Sequence, residues 1–323
     1  MTETRPTLRI TRGRPRLLDA PVGAELVRRG VRWRKHGLLT DADAVRQVHV
    51  EMLEAGAELI RTNTLGLNGR IFLDVFKSPA HMAHIGAPGL NTLAPRLAAR
   101  AVEIAREARE QAGCLDVPVA AVLSPLEHVF RPDLVPESEV AQREHADLAR
   151  AMADAGADLF YVDALTTLRE TRAVLDAVQG IGRPVIAAFV VDERGDLLGG
   201  EALGDALALA RLCRCEAVVL TGAPLEDLLL GLAAIGATPM PLGLAPICGY
   251  YDPPSWKFDF HPRFGGAPAP EAFASELVAA LPADAAIVGA WCGAGPEHIS
   301  ALRDRLALAV AGGGSGPGGG VAR

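Results

Sequence analysis

An alternation of short apolar runs with longer helical patterns dominates this sequence. Eight apolar runs, many of them rich in β-branched residues, occupy 16–20, 58–63, 118–124, 158–164, 184–191, 216–222, 241–247 and 285–292. Runs that are continuously apolar, instead of alternating with polar residues, are typical of parallel strands buried on both faces. The pattern therefore predicts eight parallel strands.

The segments between these runs carry apolar residues at helical spacing. In the first of them, Val45, Val48 and Met52 fall on one face of a helix. The predicted helices are 42–54, 90–110, 137–155, 167–179, 201–212, 225–235, 271–281 and 296–310. Eight strands alternating with eight helices favour a single-domain α/β chain folded as a (β/α)8 TIM barrel. The alternative, an open doubly wound sheet, is expected to carry a Gly-rich phosphate turn after its first strand, where this chain has DAPVG at 19–23.

Composition supports one large core with two loose ends. Half of the 323 residues are hydrophobic and 22% are charged, which excludes a disordered or coiled-coil protein. Residues 1–15 are polar and Arg-rich, and residues 312–323 read GGGSGPGGGVAR. We predict a flexible N-terminal arm at 1–15, the barrel at 16–311 and a disordered Gly-rich tail at 312–323.

Net charge and cysteine content indicate which partners and which cellular compartment to expect. A net charge of −7 argues against a nucleic-acid partner, because phosphate binding needs a basic surface. No apolar stretch reaches about 18 residues and no signal peptide is visible, so we expect neither membrane association nor secretion. The five cysteines are scattered and odd in number, which predicts reduced thiols in a cytoplasmic protein.

Polar or thiol side chains follow every predicted strand. In chain order they are Asp19, Thr62 with Asn63, Ser124, Asp163, Asp192, Thr221, Cys248 and Cys292. Catalytic groups of a TIM barrel lie at these carboxyl ends, although polar residues are also expected wherever a strand leaves the core. Asp19 and Asp163 stand out because an unpaired carboxylate at the end of an apolar strand is costly. They predict a site for a cationic group of a ligand.

Five segments resemble the homocysteine S-methyltransferase family. They are LLDAPVGAELVRRG at 17–30, AGAELIRTNTLGLN at 55–68, ADLFYVDALTTLRETRAVL at 157–175, PICGYYD at 246–252 and IVGAWCGAGPEHISAL at 287–302. The resemblance covers about residues 17–306. It implies a (β/α)8 barrel and methyl transfer to a thiol such as that of homocysteine.

The resemblance also implies a metal site that this chain does not reproduce. In the family, three cysteine thiolates hold a zinc ion that keeps the acceptor thiol ionised. One cysteine follows an Asn at the end of strand six, and two adjacent cysteines follow strand eight. Here those pairs are Thr221–Gly222 and Trp291–Cys292, so Cys292 is the one family ligand retained. We expect no family-type zinc site, and no cofactor is certain.

Cys248 leaves three alternatives open. It ends the strand next to that of Cys292, so the two thiols could join His128, His261 or Asp163 in a relocated metal site. They could instead form a redox pair or be inert packing residues. Cys114, Cys213 and Cys215 are interpreted as structural.

The resemblance implies roles for several other residues. Asp19 matches the family aspartate near the substrate amino group, and Asp163 stands where the family usually has Glu. We predict Asp163, as general base, and Cys292 as catalytic residues. The predicted substrate-binding residues are Asp19, Thr62, Asn63, Thr221, Cys248, Trp291 and Tyr251. Tyr250, Tyr251, Trp256 and Trp291 could form an aromatic cage for a methylated cation. Ala20 and Pro21 replace two family glycines, which disfavours homocysteine itself as the substrate.

Two classes of function follow. The first is an enzyme that transfers a methyl group to a thiol, selenol or other small nucleophile without family-type zinc. Its partners would be an amino-acid-like substrate and a methyl donor, with a separate protein to bring the donor if that donor is bound cobalamin. The alternative is a non-catalytic or repurposed barrel that binds a small molecule or a partner protein. Homo-oligomerisation is left open.

Overall fold

Eight parallel strands form the centre of the protein in a computed structural model, which describes residues 6–31, 37–70, 78–84, 89–252 and 263–313. These strands are β1 Arg16–Leu17, β2 Ile60–Arg61, β3 Val119–Leu123, β4 Leu159–Leu165, β5 Val185–Val190, β6 Ala217–Thr221, β7 Leu242–Ala245 and β10 Ile287–Val288. A separate antiparallel hairpin comprises β8 Tyr250–Asp252 and β9 Arg263–Gly265.

The sheet closes on itself. Its strand order is β1-β10-β7-β6-β5-β4-β3-β2. The first and last strands of that order meet through a parallel bridge between Leu18 and Leu59. The backbone N–H of Asp19 donates to Leu59 O at 3.1 Å, and that of Glu58 donates to Leu17 O at 2.8 Å. The prediction of a single-domain (β/α)8 barrel is therefore confirmed, and the open doubly wound sheet is wrong.

Helices surround the sheet. They are α1 Val22–Arg28, α2 Ala42–Glu54, α3 Pro79–His84, α4 Ala94–Gln111, α5 Ser138–Asp154, α6 Leu168–Gln179, α7 Leu203–Leu212, α8 Leu225–Ile235, α9 Pro270–Ala280 and α10 Pro296–Gly313. The eight predicted helices all form, although the start of one is a 3-10 turn, Leu90–Leu93, that leads into α4. The apolar and helical patterns of the sequence did not predict α1, α3 or the hairpin.

The core has two layers separated by the barrel wall. Strand side chains alternate between the two faces. Leu59, Leu159 and Tyr161 belong to the cluster inside the barrel, whereas Ile60 and Phe160 pack among the helices outside it. The same alternation turns the residues at 61 and 163 inward. It brings charged side chains to the carboxyl end of the barrel interior, which we call the barrel mouth.

The described part of the N-terminal arm, residues 6–15, lies against the opposite end of the barrel. Leu8 and Ile10 pack on the interior cluster. Arg12 Nη1 donates to Asp284 Oδ2, and its Nη2 donates to Thr238 O, each at 2.9 Å. At the other end of the chain, α10 runs to Gly313, so most of the predicted tail lies outside the described residues. Within the described ranges, no helix has the length and apolar character needed to cross a membrane.

Candidate functional site

A buried arginine occupies the barrel mouth. Arg61, at the end of β2, is 3% exposed, and Asp19, after β1, is fully buried. Arg61 Nε donates to Asp19 Oδ1 and the Arg61 backbone N–H donates to Asp19 Oδ2, both at 2.8 Å. Arg61 Nη2 also donates to Asp19 O at 2.6 Å and to Ala290 O at 3.0 Å. The expectation that Asp19 is unpaired is therefore wrong, because the neighbouring strand supplies its cation.

Asp163 is less completely partnered. Its Oδ2 accepts from Trp291 Nε1 at 3.3 Å and lies 3.8 Å from Arg61 Nη1. Within the described residues, its Oδ1, Arg61 Nη1 and the Tyr161 hydroxyl are buried without a hydrogen-bond partner. The Arg61 guanidinium carbon lies 5.3 Å from the centroid of the Tyr161 ring. We call Asp19, Arg61, Tyr161, Asp163 and Trp291 the mouth cluster.

The backbone at Asp163 is irregular. The register between β4 and β5 shifts between Val162 and Leu165, and Ala164 has a φ of 57°. A bulge of this kind re-aims side chains and is frequent beside active sites. Asp163 lies within the bulge, so the carboxyl end of β4 is shaped to direct this carboxylate.

Burial decides the ionisation of the mouth cluster. It raises the pKa of Asp19 to about 6, against the opposing charge and hydrogen bonds of Arg61. It also raises the pKa of Asp163, which the Arg61 charge and the Trp291 hydrogen bond partly offset. Burial alone would lower the pKa of Arg61, but the charges of Asp19, Tyr161 and Asp163 raise it above its ordinary value. The mouth cluster thus holds one permanent cation and two carboxyl groups that ionise less readily than ordinary ones.

The two cysteines predicted to be neighbours are adjacent. The Cys248 backbone N–H donates to Cys292 O at 2.8 Å, and both residues are buried. Cys292 clusters with Ala164, Val190 and Trp291. Burial, and then the negative charge of Asp163, raises the pKa of the Cys292 thiol, while burial raises the pKa of Cys248 to about 12. Without a metal, both are neutral thiols at pH 7.

The residues present do not fit the three-cysteine zinc site of the resembled family. Gly222 has a φ of 70°, and a Cβ there would lie 2.6 Å from Val190 Cγ2, so no cysteine side chain fits without a shift. The Trp291 indole fills the second position and donates to Asp163. In the part of the chain that the structure describes, no three His, Cys, Asp or Glu side chains are grouped to hold a metal ion. His261, one candidate ligand of a relocated site, lies outside the described residues.

The hydroxyls of Thr62 and Thr221, both predicted to bind substrate, form hydrogen bonds to neighbouring strands. Thr62 Oγ1 lies 2.8 Å from Thr64 Oγ1 and accepts from the Val122 backbone N–H at 2.9 Å. Thr221 Oγ1 donates to Ala245 O at 2.9 Å. These contacts tie neighbouring strands together at the barrel mouth.

The remaining predicted residues are distributed around the mouth. Asn63 is buried at the end of β2. Tyr250 and Tyr251 lie on β8 of the hairpin, and Trp256 lies outside the described residues. Trp291 is thus the one member of the predicted aromatic cage whose side-chain contacts are described.

Arg61 and Tyr161 were not among the residues predicted from the sequence. The signal for Arg61 was present, because ELIRTN at 58–63 places an arginine within an otherwise apolar parallel strand. A buried guanidinium requires carboxylate partners, which should have pointed to Asp19 and Asp163. Tyr161 gave no such signal, because a tyrosine in a strand is ordinary.

Comparisons with known proteins find a matching family model, a similar relative and structures with a similar fold. The family model described as homocysteine S-methyltransferase matches residues 16–306. The homocysteine S-methyltransferase of Escherichia coli strain K12 is 28% identical over 314 residues, covering 90% of this chain and 94% of that protein. The crystal structure of the E. coli homocysteine methyltransferase MmuM in its metallated form aligns with a TM-score of 0.70 at 24% identity, and the oxidised form aligns with 0.70 at 23%. Both alignments cover 90% of this chain and 96% of the other.

Proposed function

Because this chain belongs to the homocysteine S-methyltransferase family, we propose that it is an enzyme that transfers a methyl group to the thiol or selenol of a small acceptor in the barrel mouth. Membership implies an amino-acid substrate and a methyl donor. The observation that carries the proposal is Asp163, a buried carboxylate at the end of a barrel strand whose Oδ1 lacks a hydrogen-bond partner within the described residues. The residues of the mouth cluster lie where barrel enzymes hold their chemistry.

Asp163 is the proposed general base. An ordinary thiol has a pKa of about 8.5, so only a few per cent is ionised at pH 7. Asp163 Oδ1 takes the thiol proton while the sulfur attacks the methyl carbon. The new S–C bond forms as the bond from that carbon to the donor breaks, and the electron pair of that bond leaves with the donor. Burial raises the pKa of Asp163 toward that of the thiol, which favours proton transfer.

Cys292 stays in this proposal as a candidate catalytic residue of the same strand-end cluster, lying against Trp291. Burial keeps its thiol protonated, so we propose Asp163, and not Cys292, as the base. Asp19, one of the predicted substrate-binding residues, already forms an ion pair with Arg61.

We further propose that the reaction proceeds without the family-type three-cysteine zinc site. The crowding at Gly222 and the indole of Trp291 support this proposal. The test is elemental analysis of the purified protein by mass spectrometry. Stoichiometric zinc that is lost in Cys248→Ser or Cys292→Ser would overturn it.

Methyl transfer is tested by incubating the protein with a thiol acceptor and a sulfonium, betaine or folate donor in turn. Acceptor-dependent transfer from one of them is expected. If thiols bind but no donor supports transfer, the alternative of a non-catalytic barrel is favoured. A cytoplasmic location stays a prediction, a separate donor protein is expected only if the donor is bound cobalamin, and homo-oligomerisation stays open.

A further inference from the structure

Arg61 is held rigidly between the two carboxylates of the barrel mouth. Its side chain donates to Asp19, which follows β1, and to Ala290 O, which follows β10. Arg61 therefore joins the end of β2 to the ends of both strands. Its guanidinium packs beside the Tyr161 ring, and the residue is 3% exposed. A side chain with this many directional contacts does not swing aside for a ligand without losing all of them.

This arginine uses the carboxylate that the family resemblance assigns to a substrate ammonium group. Both oxygens of Asp19 accept hydrogen bonds from Arg61, one from the side chain and one from the backbone. A ligand ammonium that displaced Arg61 would leave a buried guanidinium without its partner, which is strongly unfavourable. Asp19 is therefore closed to a ligand cation.

Asp163 does not replace Asp19 as an ammonium site. Its Oδ2 already accepts from Trp291 and lies near Arg61. Oδ1 is therefore the oxygen of Asp163 that has no hydrogen-bond partner among the described residues. The proposed function requires that oxygen for the thiol proton. An ammonium group bound there would compete with the thiol for the same acceptor.

We propose that Arg61 is an internal substitute for the ammonium group of the acceptor, so that this enzyme binds small thiols that lack an amino group as well as those that carry one. The inference rests on the proposed function, because it takes the barrel mouth as the acceptor site. It makes Arg61 a specificity-determining residue, and its substrate class is small thiols without a required ammonium group.

The test compares homocysteine with 4-mercaptobutanoate, which is the same thiol acid without the amino group. Calorimetry of the full-length protein measures both dissociation constants. We expect them to agree within about threefold, since no charge-assisted contact to the ammonium is made. A preference for homocysteine of about tenfold or more, the effect of one such contact, would overturn the inference.

Variants separate specificity from folding. Arg61→Gln frees Asp19 and Asp163, and should shift the ratio toward homocysteine by about tenfold or more. Asp19→Asn combined with Arg61→Gln removes the ion pair as a unit and leaves no Asp19 carboxylate for an ammonium group, so it should keep the wild-type ratio. Arg61→Lys retains a cation and should keep the wild-type ratio. An unchanged ratio in folded Arg61→Gln contradicts the proposal, and so does a shift toward homocysteine in the double variant.

The outcomes also distinguish this inference from the proposed function. Equal binding of both thiols without transfer from any donor would sustain the inference and refute the methyltransferase. Methylation of homocysteine with at least about tenfold weaker binding of 4-mercaptobutanoate would do the opposite. If neither thiol binds, the inference fails.

Discussion

The two ends of β4 carry the same residue type in opposite situations. Asp158, just before the strand, accepts from Arg109 Nη1 at 2.7 Å and from the Val119 backbone N–H at 2.9 Å. Asp163, at the other end, accepts from the indole at 3.3 Å and lies 3.8 Å from a guanidinium, and its Oδ1 lacks a hydrogen-bond partner in the described residues. In a barrel, the amino end serves stability and the carboxyl end serves chemistry. This difference in hydrogen bonding is the reason that Asp163, and not Asp158, is the aspartate of the proposed function.

Catalysis provides the largest expected contrast between the two aspartates. Asp163→Asn removes the proposed base and should lower kcat/KM for methyl transfer by about 10²–10⁴. Asp158→Asn should leave kcat/KM unchanged in the folded protein, because Asp158 lies at the far end of the strand. Steady-state kinetics at saturating donor measure both. An equal loss in the two variants would mean that the ends of β4 do not differ in function.

The free energy of unfolding should fall further when Arg61 is replaced than when Arg109 is replaced. Arg61→Gln leaves the buried Asp19 without its cation and should lower the free energy of unfolding by about 3–5 kcal/mol. Arg109→Gln should cost less, because Asp158 is 8% exposed whereas Asp19 is fully buried. Urea denaturation measures both, with Asp19→Asn/Arg61→Gln as the control that removes the pair together. If this double variant were as unstable as Arg61→Gln, uncompensated charge would not be the cause.

The pH dependence of the free energy of unfolding tests whether burial raises the pKa of Asp19 at the barrel mouth. The pKa of Asp19 rises from 3.8 to about 6 on folding, so the folded state binds an additional proton between these values. This contribution to stability is fully present below about pH 4 and is lost as the pH rises through about 6, amounting to about 3 kcal/mol.

The measurement is the free energy of unfolding of wild type minus that of Asp19→Asn across pH 4–7. The difference should fall as the pH rises. The raised pKa of Asp163 acts in the same direction but remains in both proteins. A flat difference for Asp19→Asn would refute the burial argument.

The smallest expected effect compares two glycines with nearly equal backbone angles. Gly182, before β5, has a φ of 72° and open space where a Cβ would point, whereas Gly222 after β6 has a φ of 70° and its Cβ would clash with Val190. Gly182→Ala should cost about 1–2 kcal/mol of unfolding free energy for the left-handed conformation alone. Gly222→Ala should cost about 1–3 kcal/mol more because of crowding.

Val190→Ala is the matched control for this comparison. In the Val190→Ala background, adding Gly222→Ala should lower the free energy of unfolding by the same amount as Gly182→Ala does in the wild-type background. Thermal or urea unfolding gives the values. If Val190→Ala brings no relief, steric crowding does not explain the absence of a side chain at 222.

The barrel was predictable because its signals are local. Continuous apolar runs and helical periodicity are properties of contiguous residues, and they located all eight barrel strands. The hairpin and α1 were missed because their segments are short. The partner of Asp19 was missed because it depends on which strands become neighbours when the sheet closes, and on the alternation that turns Arg61 inward. Likewise, the Trp291 contact with Asp163 crosses 128 positions of the chain.

The N-terminal arm has a consequence for how reactants meet. Leu8 and Ile10 pack on the interior cluster at the amino end, and strand side chains fill the barrel between its two ends. Reactants that use the mouth cluster therefore share one side of approach, the carboxyl end. The arm extends the core at the remote end, where it contributes to packing and not to access.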